Sequence, residues 1–188
     1  MKELIYIGAE LDKLFALHRW KYCIIGGVAL QRWGQSRLTL NLDLILLTGL
    51  KNEKTYIDEL LRHYEGRVIN PKEFALEHRV LLLKTTNGIG IDIALGGFPY
   101  EETVIGRASR FEFIAGIFLL TCSAEDLIIL KAFADRGQDW IDVEGILIRQ
   151  QNRLDWDYIY QQLPPLCELK ETPEIVERLT QLREKTSK

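Results

Sequence analysis

Cysteine and histidine are scarce in this sequence of 188 residues, and their scarcity excludes two classes of small protein. The three cysteines, Cys23, Cys122 and Cys167, are widely separated, odd in number and form no C-x-x-C pair. Neither a disulfide scaffold nor a zinc ribbon is therefore expected, and the three histidines show no zinc-ligand spacing. We expect free, buried thiols in a reducing compartment.

Long apolar runs and an excess of basic charge are also missing. The longest apolar stretch, residues 113–122, is too short to span a bilayer and contains a glycine. The first residues begin an amphipathic pattern rather than a signal peptide, so we expect a cytoplasmic protein with no membrane partner. The net charge of -3 disfavours broad, non-specific nucleic-acid binding, although the 24 lysines and arginines leave room for a local basic groove.

Hydrophobic periodicity predicts an α+β fold, with a mixed β-sheet flanked by helices in residues 1–122. Thr86-Asn87-Gly88 lies between two β-rich runs, and Asn-Gly at such a position is typical of a hairpin turn. The predicted helices cover residues 3–17, 28–33 and 55–64, and the predicted strands cover residues 22–25, 42–47, 78–85 and 89–95, with a further strand pair within residues 111–121.

The remaining residues, 123–188, are predicted to form a helical region packed on that core. Ser123 is followed three residues later by Asp126, which indicates a helix N-terminus and a helix continuing over residues 127–134. Further helices are predicted over residues 139–150, 155–162 and 173–184, with a break at Pro164-Pro165. The chain is thus divided into a core of residues 1–122 and a helical C-terminal region.

Two predicted strands carry isolated carboxylates inside aliphatic runs. Alternation places Asn41 and Asp43 on one face of their strand, where a buried carboxylate is costly unless a cation pairs with it. Asp92 lies between Gly90 and Ala94 on its face, which leaves room for a ligand or a metal. Each has a structural alternative, because Asp43 could be a solvated residue at a strand start and Asp92 a satisfied edge residue.

A glycine pair, Gly26-Gly27, follows the first predicted strand and precedes a short helix. The free N–H groups and the positive dipole end of such a helix suit a phosphate. Tight turns between a strand and a helix also use glycine pairs without any ligand, so the pair by itself favours the structural interpretation.

In this order and spacing, the three elements resemble the nucleotidyltransferase superfamily that shares its core with DNA polymerase β. The resemblance covers residues 20–150. The matching motifs are Ile25-Gly26-Gly27, Asn41-Leu42-Asp43 and Ile91-Asp92-Ile93. The AbiEii-type branch, which includes bacterial toxin–antitoxin nucleotidyltransferases, is also similar in the run of residues 26–30, in Arg37-x-Thr39-x-Asn41-x-Asp43, in residues 123–131, and in Arg136-x-x-Asp139-x-x-Asp142.

The resemblance implies catalysis with two Mg²⁺ (or Mn²⁺) ions, held at positions 41, 43 and 92, which align an NTP such as ATP with an acceptor hydroxyl. It implies further that Gly26 and Gly27 bind the triphosphate, that Lys131 neutralises its charge, that Arg37 and Thr39 flank it, and that Asp139 and Asp142 orient the acceptor or hold Lys131 and Arg136. From the residues alone, Lys131 could be the solvent edge of a helix, Arg37 a surface residue, and the two aspartates helix-dipole partners.

Asn41 departs from the family pattern, which has a carboxylate at this position. An asparagine keeps an oxygen that can bind a metal but loses the negative charge that Mg²⁺ prefers. Three explanations stay open: an active enzyme with reduced turnover, an inactive relative that binds nucleotide or a partner, or a tolerated change with the second metal carried mostly by the triphosphate.

Three functions follow as hypotheses. The first is a nucleotidyltransferase of the toxin–antitoxin type that moves an NMP onto an RNA end, such as that of tRNA, or onto a protein hydroxyl, with a cognate toxin or antitoxin as partner. The second is an antitoxin-like binding module that has lost its chemistry through Asn41. The third is an antibiotic nucleotidyltransferase that modifies an aminoglycoside or a lincosamide in an acidic cleft.

Overall fold

The structure, a computed structural model, describes residues 1–186 and divides into two compact units. The sheet unit contains Met1–Val28 and Leu38–Cys122, and the helical unit contains Ala29–Arg37 and the chain from Ser123 onwards. Residues 187 and 188, the end of the predicted helical region, lie outside the described residues.

The sheet unit is built on one seven-stranded sheet with the strand order β3-β4-β5-β2-β1-β7-β6. The pairs β2/β5 and β1/β7 are parallel and the others antiparallel, so the predicted mixed sheet flanked by helices is confirmed. The elements are α1 (Lys2–His18), β1 (Tyr22–Ile24), α2 (Gly26–Trp33), β2 (Asn41–Leu47), α3 (Glu53–His63), β3 (Glu65–Gly66), α4 (Pro71–His78), β4 (Val80–Lys84), β5 (Gly90–Gly96), α5 (Pro99–Gly106), β6 (Ser109–Ile114) and β7 (Ile117–Thr121).

Alternation along the central strands creates the core of this unit. Leu42, Leu44 and Leu46 of β2 are buried on the face opposite Asp43, and α1 contributes Phe15 to the same hydrophobic cluster. Burying such side chains removes apolar surface from water, which stabilises the fold by about 25 cal/mol for each Å² buried. The strand that carries Asp43 is therefore anchored by core packing on the face opposite this carboxylate.

Both predicted strand pairs are present, and both are antiparallel. β4 and β5 pair around Thr86-Asn87-Gly88, and β6 and β7 pair around Gly116. Gly88 has φ +82° and Gly116 has φ +78°, values that a residue without a Cβ adopts at little cost. The Asn-Gly signal therefore identified a real hairpin.

Three elements of the sheet unit were not predicted, because their sequences lack the periodicity on which prediction depends. β3 has only two residues, and the eight-residue helices α4 and α5 each bury a single side chain, Ala75 and Val104 respectively. Each of these helices begins with a proline, which fixes a helical φ and needs no N–H partner at that position. α2 begins at Gly26 rather than at residue 28, so the glycine pair forms the first turn of the helix.

The helical unit contains α6 (Ala124–Ala134), α7 (Gly137–Gln150), α8 (Trp156–Lys170) and α9 (Glu174–Thr186), together with the C-terminal part of α2. Ser123 caps α6 as predicted, because its hydroxyl accepts a hydrogen bond from the Asp126 N–H. Side chains of α7 bind the last carbonyls of α2: Arg149 donates to Gly34 and Gln150 donates to Trp33. These bonds explain why residues 29–37 group with the helical unit.

The predicted break at Pro164-Pro165 is wrong, because α8 continues through both prolines to Lys170. A proline in a helix loses one hydrogen bond but keeps a helical φ. Leu163 and Cys167, on either side of the pair, are both buried, and their packing offsets the lost bonds. In residues 1–186, no helix is both long and apolar enough to cross a membrane.

Candidate functional site

The two strand carboxylates of the sheet unit face the same side of the sheet and are direct neighbours. In the parallel pairing of β2 with β5, Asp43 is opposite Asp92 and Asn41 is opposite Gly90. Partners in adjacent strands are separated by about 4.8 Å and point to the same face. Register therefore brings the predicted ligands Asn41, Asp43 and Asp92 together, each of them half-buried.

The glycine turn lies directly against Asp43. Gly26 has φ +60°, and a Cβ at this position would overlap the Asp43 carboxylate, so only glycine fits here. The Gly27 N–H points at Asp43 Oδ2 over 3.5 Å, and a Cβ on Gly27 would come within 2.6 Å of the Thr39 side chain. The start of α2 thus opens onto the carboxylate with no side chain between them.

Asn41 is hydrogen-bonded to the second carboxylate. Its Nδ2 donates to Asp92 Oδ2 at 3.1 Å, and a Cβ on Gly90 would overlap the Asn41 amide oxygen. The space predicted beside Asp92 is therefore filled by the Asn41 amide. Gly90 is required because this amide lies over its backbone.

Arg67, which the sequence analysis did not identify, forms an ion pair with Asp92 through its Nη2 atom. Its backbone N–H donates to the Leu82 carbonyl at 2.9 Å, and Leu82 pairs with Asp92 across β4 and β5. Arg67 directly follows β3, a strand too short to show any period. No local signal in the sequence marks Arg67, because its position beside Asp92 depends on the pairing of β3 with β4 and of β4 with β5.

We call Gly26, Gly27, Thr39, Asn41, Asp43, Arg67 and Asp92 the strand cluster. Among the described residues, no group of three or more His, Cys, Asp or Glu side chains is placed to hold a metal ion. The strand cluster does offer hard oxygen donors, namely the carboxylates of Asp43 and Asp92 and the amide oxygen of Asn41, and these are ligands that Mg²⁺ accepts. With only two negative charges, the donor set fits one divalent ion better than two.

A second group of charged residues lies in the helical unit, around Lys131. The Lys131 Nζ donates to Asp139 Oδ1 at 3.0 Å and to Asp142 Oδ2 at 2.6 Å. All three residues are nearly inaccessible, with exposed fractions of 5%, 2% and 3%. Lys131 is therefore a buried, doubly paired ammonium and not the solvent edge of its helix.

Two arginines complete this group, which we call the lysine cluster: Arg37, Lys131, Arg136, Asp139 and Asp142. Arg37 binds Asp142 with two nitrogens, Nε at 2.8 Å and Nη2 at 3.0 Å, and Arg136 Nε binds Asp139 at 2.6 Å. Of the two roles considered for these aspartates, their contacts are those of residues that hold Lys131 and Arg136 in place.

Burial would raise the pKa of Asp142, but hydrogen bonds from Arg37 and Lys131 outweigh it and hold that pKa below its usual range. Asp142 is therefore ionised throughout the physiological range. The helical unit thus keeps three fixed positive charges around two carboxylates.

The predicted site residues therefore fall into two groups, one in the sheet unit and one in the helical unit. Gly26, Gly27 and Thr39 lie with Asn41, Asp43 and Asp92 in the sheet unit. Arg37, Lys131 and Asp139 lie together in the helical unit.

No protein-family model and no curated protein sequence matches this chain. Solved structures do match it. One is an antigenic nucleotidyltransferase-like protein from Paracoccidioides brasiliensis, with a TM-score of 0.53 and 16% identity over 96% of this chain and 93% of that one. Another is the lincosamide antibiotic adenylyltransferase LnuA with lincomycin bound, with a TM-score of 0.52 and 19% identity over 78% and 95% of the two chains.

A third similar structure is ANT(2")-Ia in complex with adenylyl-2"-tobramycin. Its TM-score is 0.54 and its identity 16%, over 90% of this chain and 99% of that one. At such low identity the likeness concerns the fold. The chain has the nucleotidyltransferase fold, as the motif pattern predicted.

Proposed function

We propose that this protein binds a nucleoside triphosphate at the strand cluster and transfers the NMP group to an acceptor hydroxyl, with turnover reduced by Asn41. One observation carries the proposal: in a nucleotidyltransferase fold, the glycine turn at the start of α2 opens directly onto Asp43, whose partner across the sheet is Asp92. Only glycine fits at Gly26, so the backbone is kept clear where a phosphate would approach.

The glycine turn has a donor to offer to a phosphate. The 3.5 Å from the Gly27 N–H to Asp43 is long for a hydrogen bond, so an incoming phosphate oxygen would be the better acceptor. The N-terminal dipole of α2 adds a favourable field for negative charge. We propose that Thr39, whose side chain lies beside Gly27, contacts the same phosphate.

A divalent ion, Mg²⁺ or Mn²⁺, would supply charge neutralisation of the triphosphate when bound. Asp43, Asp92 and the amide oxygen of Asn41 are the residues that we propose hold it. Their side chains lie on one face of two adjacent parallel strands, next to the glycine turn.

The missing negative charge at Asn41 determines the rate of NMP transfer that we expect. Losing one preorganised electrostatic group commonly lowers kcat by about 10²- to 10³-fold. Restoring the charge with Asn41→Asp should therefore raise transfer by a factor in that range. An aspartate has nearly the same shape as asparagine, so the substitution changes the charge of the site more than its packing.

The acceptor is proposed in two forms. The similarity of residues 26–30, 37–43, 123–131 and 136–142 to the AbiEii-type branch supports an RNA end or a protein hydroxyl, in a toxin–antitoxin context with a cognate partner. The fold neighbours named for lincomycin and adenylyl-tobramycin equally support a small polar antibiotic, a lincosamide or an aminoglycoside.

The test compares the natural chain, Asn41→Asp and the control Asn87→Asp, which makes the same change in an exposed hairpin turn. Each is incubated with Mg²⁺, one of four α-labelled NTPs, and either total tRNA, cell lysate, lincomycin or tobramycin. Binding of each NTP is measured separately by calorimetry.

Transfer that rises about 10²-fold or more in Asn41→Asp alone supports the proposal and identifies both nucleotide and acceptor. NTP binding without transfer in any variant favours the antitoxin-like or nucleotide-binding module instead. Absence of NTP binding in every variant contradicts the proposal.

A further inference from the structure

We propose that Arg67 is a built-in cation that competes with a divalent metal ion for Asp92, so that the metal binds this site weakly until a nucleotide is present. The inference rests on the proposed function in one respect, namely that a metal ion belongs at Asp92. It concerns Arg67, a residue outside every motif of the sequence analysis.

The sheet itself fixes the position of Arg67. Its N–H bonds to the carbonyl of Leu82, Leu82 is the antiparallel partner of Asp92, and Asp92 is the parallel partner of Asp43. These four residues therefore form one row across neighbouring strands. An arginine at the outer end of the row is long enough to cross Leu82 and reach the carboxylate.

Both oxygens of Asp92 already have protein donors. Arg67 Nη2 binds Oδ1, and Asn41 Nδ2 donates to Oδ2 at 3.1 Å. Because a carboxylate only accepts hydrogen bonds, the Asn41 amide must turn its NH₂ group to Asp92 and its oxygen away, over Gly90. A metal ion at Asp92 must displace the guanidinium and reorient this amide.

The charges in the row of Arg67, Asp92 and Asp43 also indicate that Arg67 competes with a metal ion for Asp92. Asp43 and Asp92 contribute two negative charges and Arg67 one positive charge, which leaves one net negative charge. An aspartate at position 41 would place a second carboxylate about 3 Å from Asp92, and such a pair requires a cation nearby. Asn41 and Arg67 together remove that requirement, because one deletes an anion and the other supplies a cation.

Arg67 is nevertheless held loosely enough to be displaced. Its side chain and that of Asp92 are each 27% exposed, and partly exposed ion pairs contribute little to stability. Its Nε–H is buried and lacks a hydrogen-bond partner among the described residues. A triphosphate offers a guanidinium a strong bidentate acceptor, so nucleotide binding would release Asp92 to the metal.

The experiment measures Mn²⁺ alone, by the loss of the free-ion EPR signal during titration, with no nucleotide present. We compare the natural chain, Arg67→Gln, Arg67→Lys and the control Arg62→Gln, which removes an exposed arginine that pairs with Glu59. A positive charge roughly 6 Å from a divalent ion weakens its binding by about tenfold even at the dielectric constant of water.

We therefore expect Arg67→Gln to bind Mn²⁺ about tenfold more tightly than the natural chain, and Asn41→Asp/Arg67→Gln more tightly still. Arg67→Lys, which keeps the charge, and Arg62→Gln should bind as the natural chain does. Circular dichroism establishes that each variant is folded. If Arg67→Gln does not fold, Arg67→Met takes its place in the same comparison and should likewise bind Mn²⁺ about tenfold more tightly than the natural chain and Arg67→Lys.

Equal Mn²⁺ affinity in the natural chain and Arg67→Gln, or tighter binding in Arg62→Gln as well, would overturn the inference. So would a lack of Mn²⁺ binding in the double variant. Because the titration contains no nucleotide or acceptor, it can succeed while transfer fails. NTP binding by calorimetry tests the proposed function independently.

Discussion

Lys131→Met is the substitution that most clearly separates structure from function in the helical unit. The change removes an ammonium that donates to Asp139 and Asp142 at 3.0 and 2.6 Å, and it leaves two buried carboxylates. Breaking a buried ion pair by removing one partner typically costs about 3–5 kcal/mol. Because each aspartate keeps an arginine, we expect the lower end, about 3 kcal/mol.

The matched control is Lys185→Met, in the same unit. Lys185 pairs with Glu144 at 2.9 Å, but its side chain is 71% exposed, so its loss should cost less than about 1 kcal/mol. Urea unfolding monitored by tryptophan fluorescence measures the two values, because three of the four tryptophans, Trp33, Trp140 and Trp156, lie in the helical unit. Equal costs for the two lysines would refute the reasoning.

The comparison also decides how nucleotide data on Lys131 are interpreted. The resemblance predicts that Lys131 neutralises the triphosphate, whereas its contacts within the helical unit are those of a buried structural cation. Nucleotide affinity should therefore be measured on Lys131→Met at a temperature where the variant remains folded. Weaker nucleotide binding by the folded variant supports the triphosphate role. Unchanged binding means that Lys131 has only the structural role.

Two further predictions concern acid stability and the glycine turn. Because the folded-state pKa of Asp142 lies below the ordinary value of 3.8, its contribution to stability is complete above that pH and is lost as pH falls through the folded pKa. The urea midpoint should therefore drop below about pH 4, and Asp142→Asn should lack this component of the drop. Gly26→Ala should cost about 1–3 kcal/mol and weaken NTP binding, because φ is +60° and the new Cβ would overlap Asp43. Gly106→Ala, where nothing lies within 4 Å, should do neither; thermal melts and calorimetry check both changes.

The sheet was largely predictable, because its strands alternate or end in recognisable turns. Buried leucines on one face of β2 identified the strand, and Asn87-Gly88 identified the hairpin that brings β4 beside β5. The fold class then followed from the order of the motifs. The elements that escaped prediction, such as α4 with its one buried residue, Ala75, carry too little hydrophobic pattern to be seen.

The candidate site was predictable only where the sequence marks it locally. Gly26-Gly27, Asp43 and Asp92 each interrupt an aliphatic run, and register brings them together. Arg67 interrupts nothing, and its contact with Asp92 depends on pairing across three strands, which no local pattern reveals. Likewise, the helix through Pro164 depends on tertiary packing that overrides the local signal of a break.

Calorimetric titration of the natural chain and of Asp43→Asn with each of the four NTPs, in the presence of Mg²⁺, tests the central claim most directly. Asp43 touches the glycine turn and faces Asp92, so losing its charge should weaken NTP binding while leaving the fold intact. We predict binding of at least one NTP to the natural chain and affinity at least about tenfold lower for Asp43→Asn. No binding of any NTP to the natural chain, or equal binding to both, would contradict the assignment of the strand cluster as a nucleotide site.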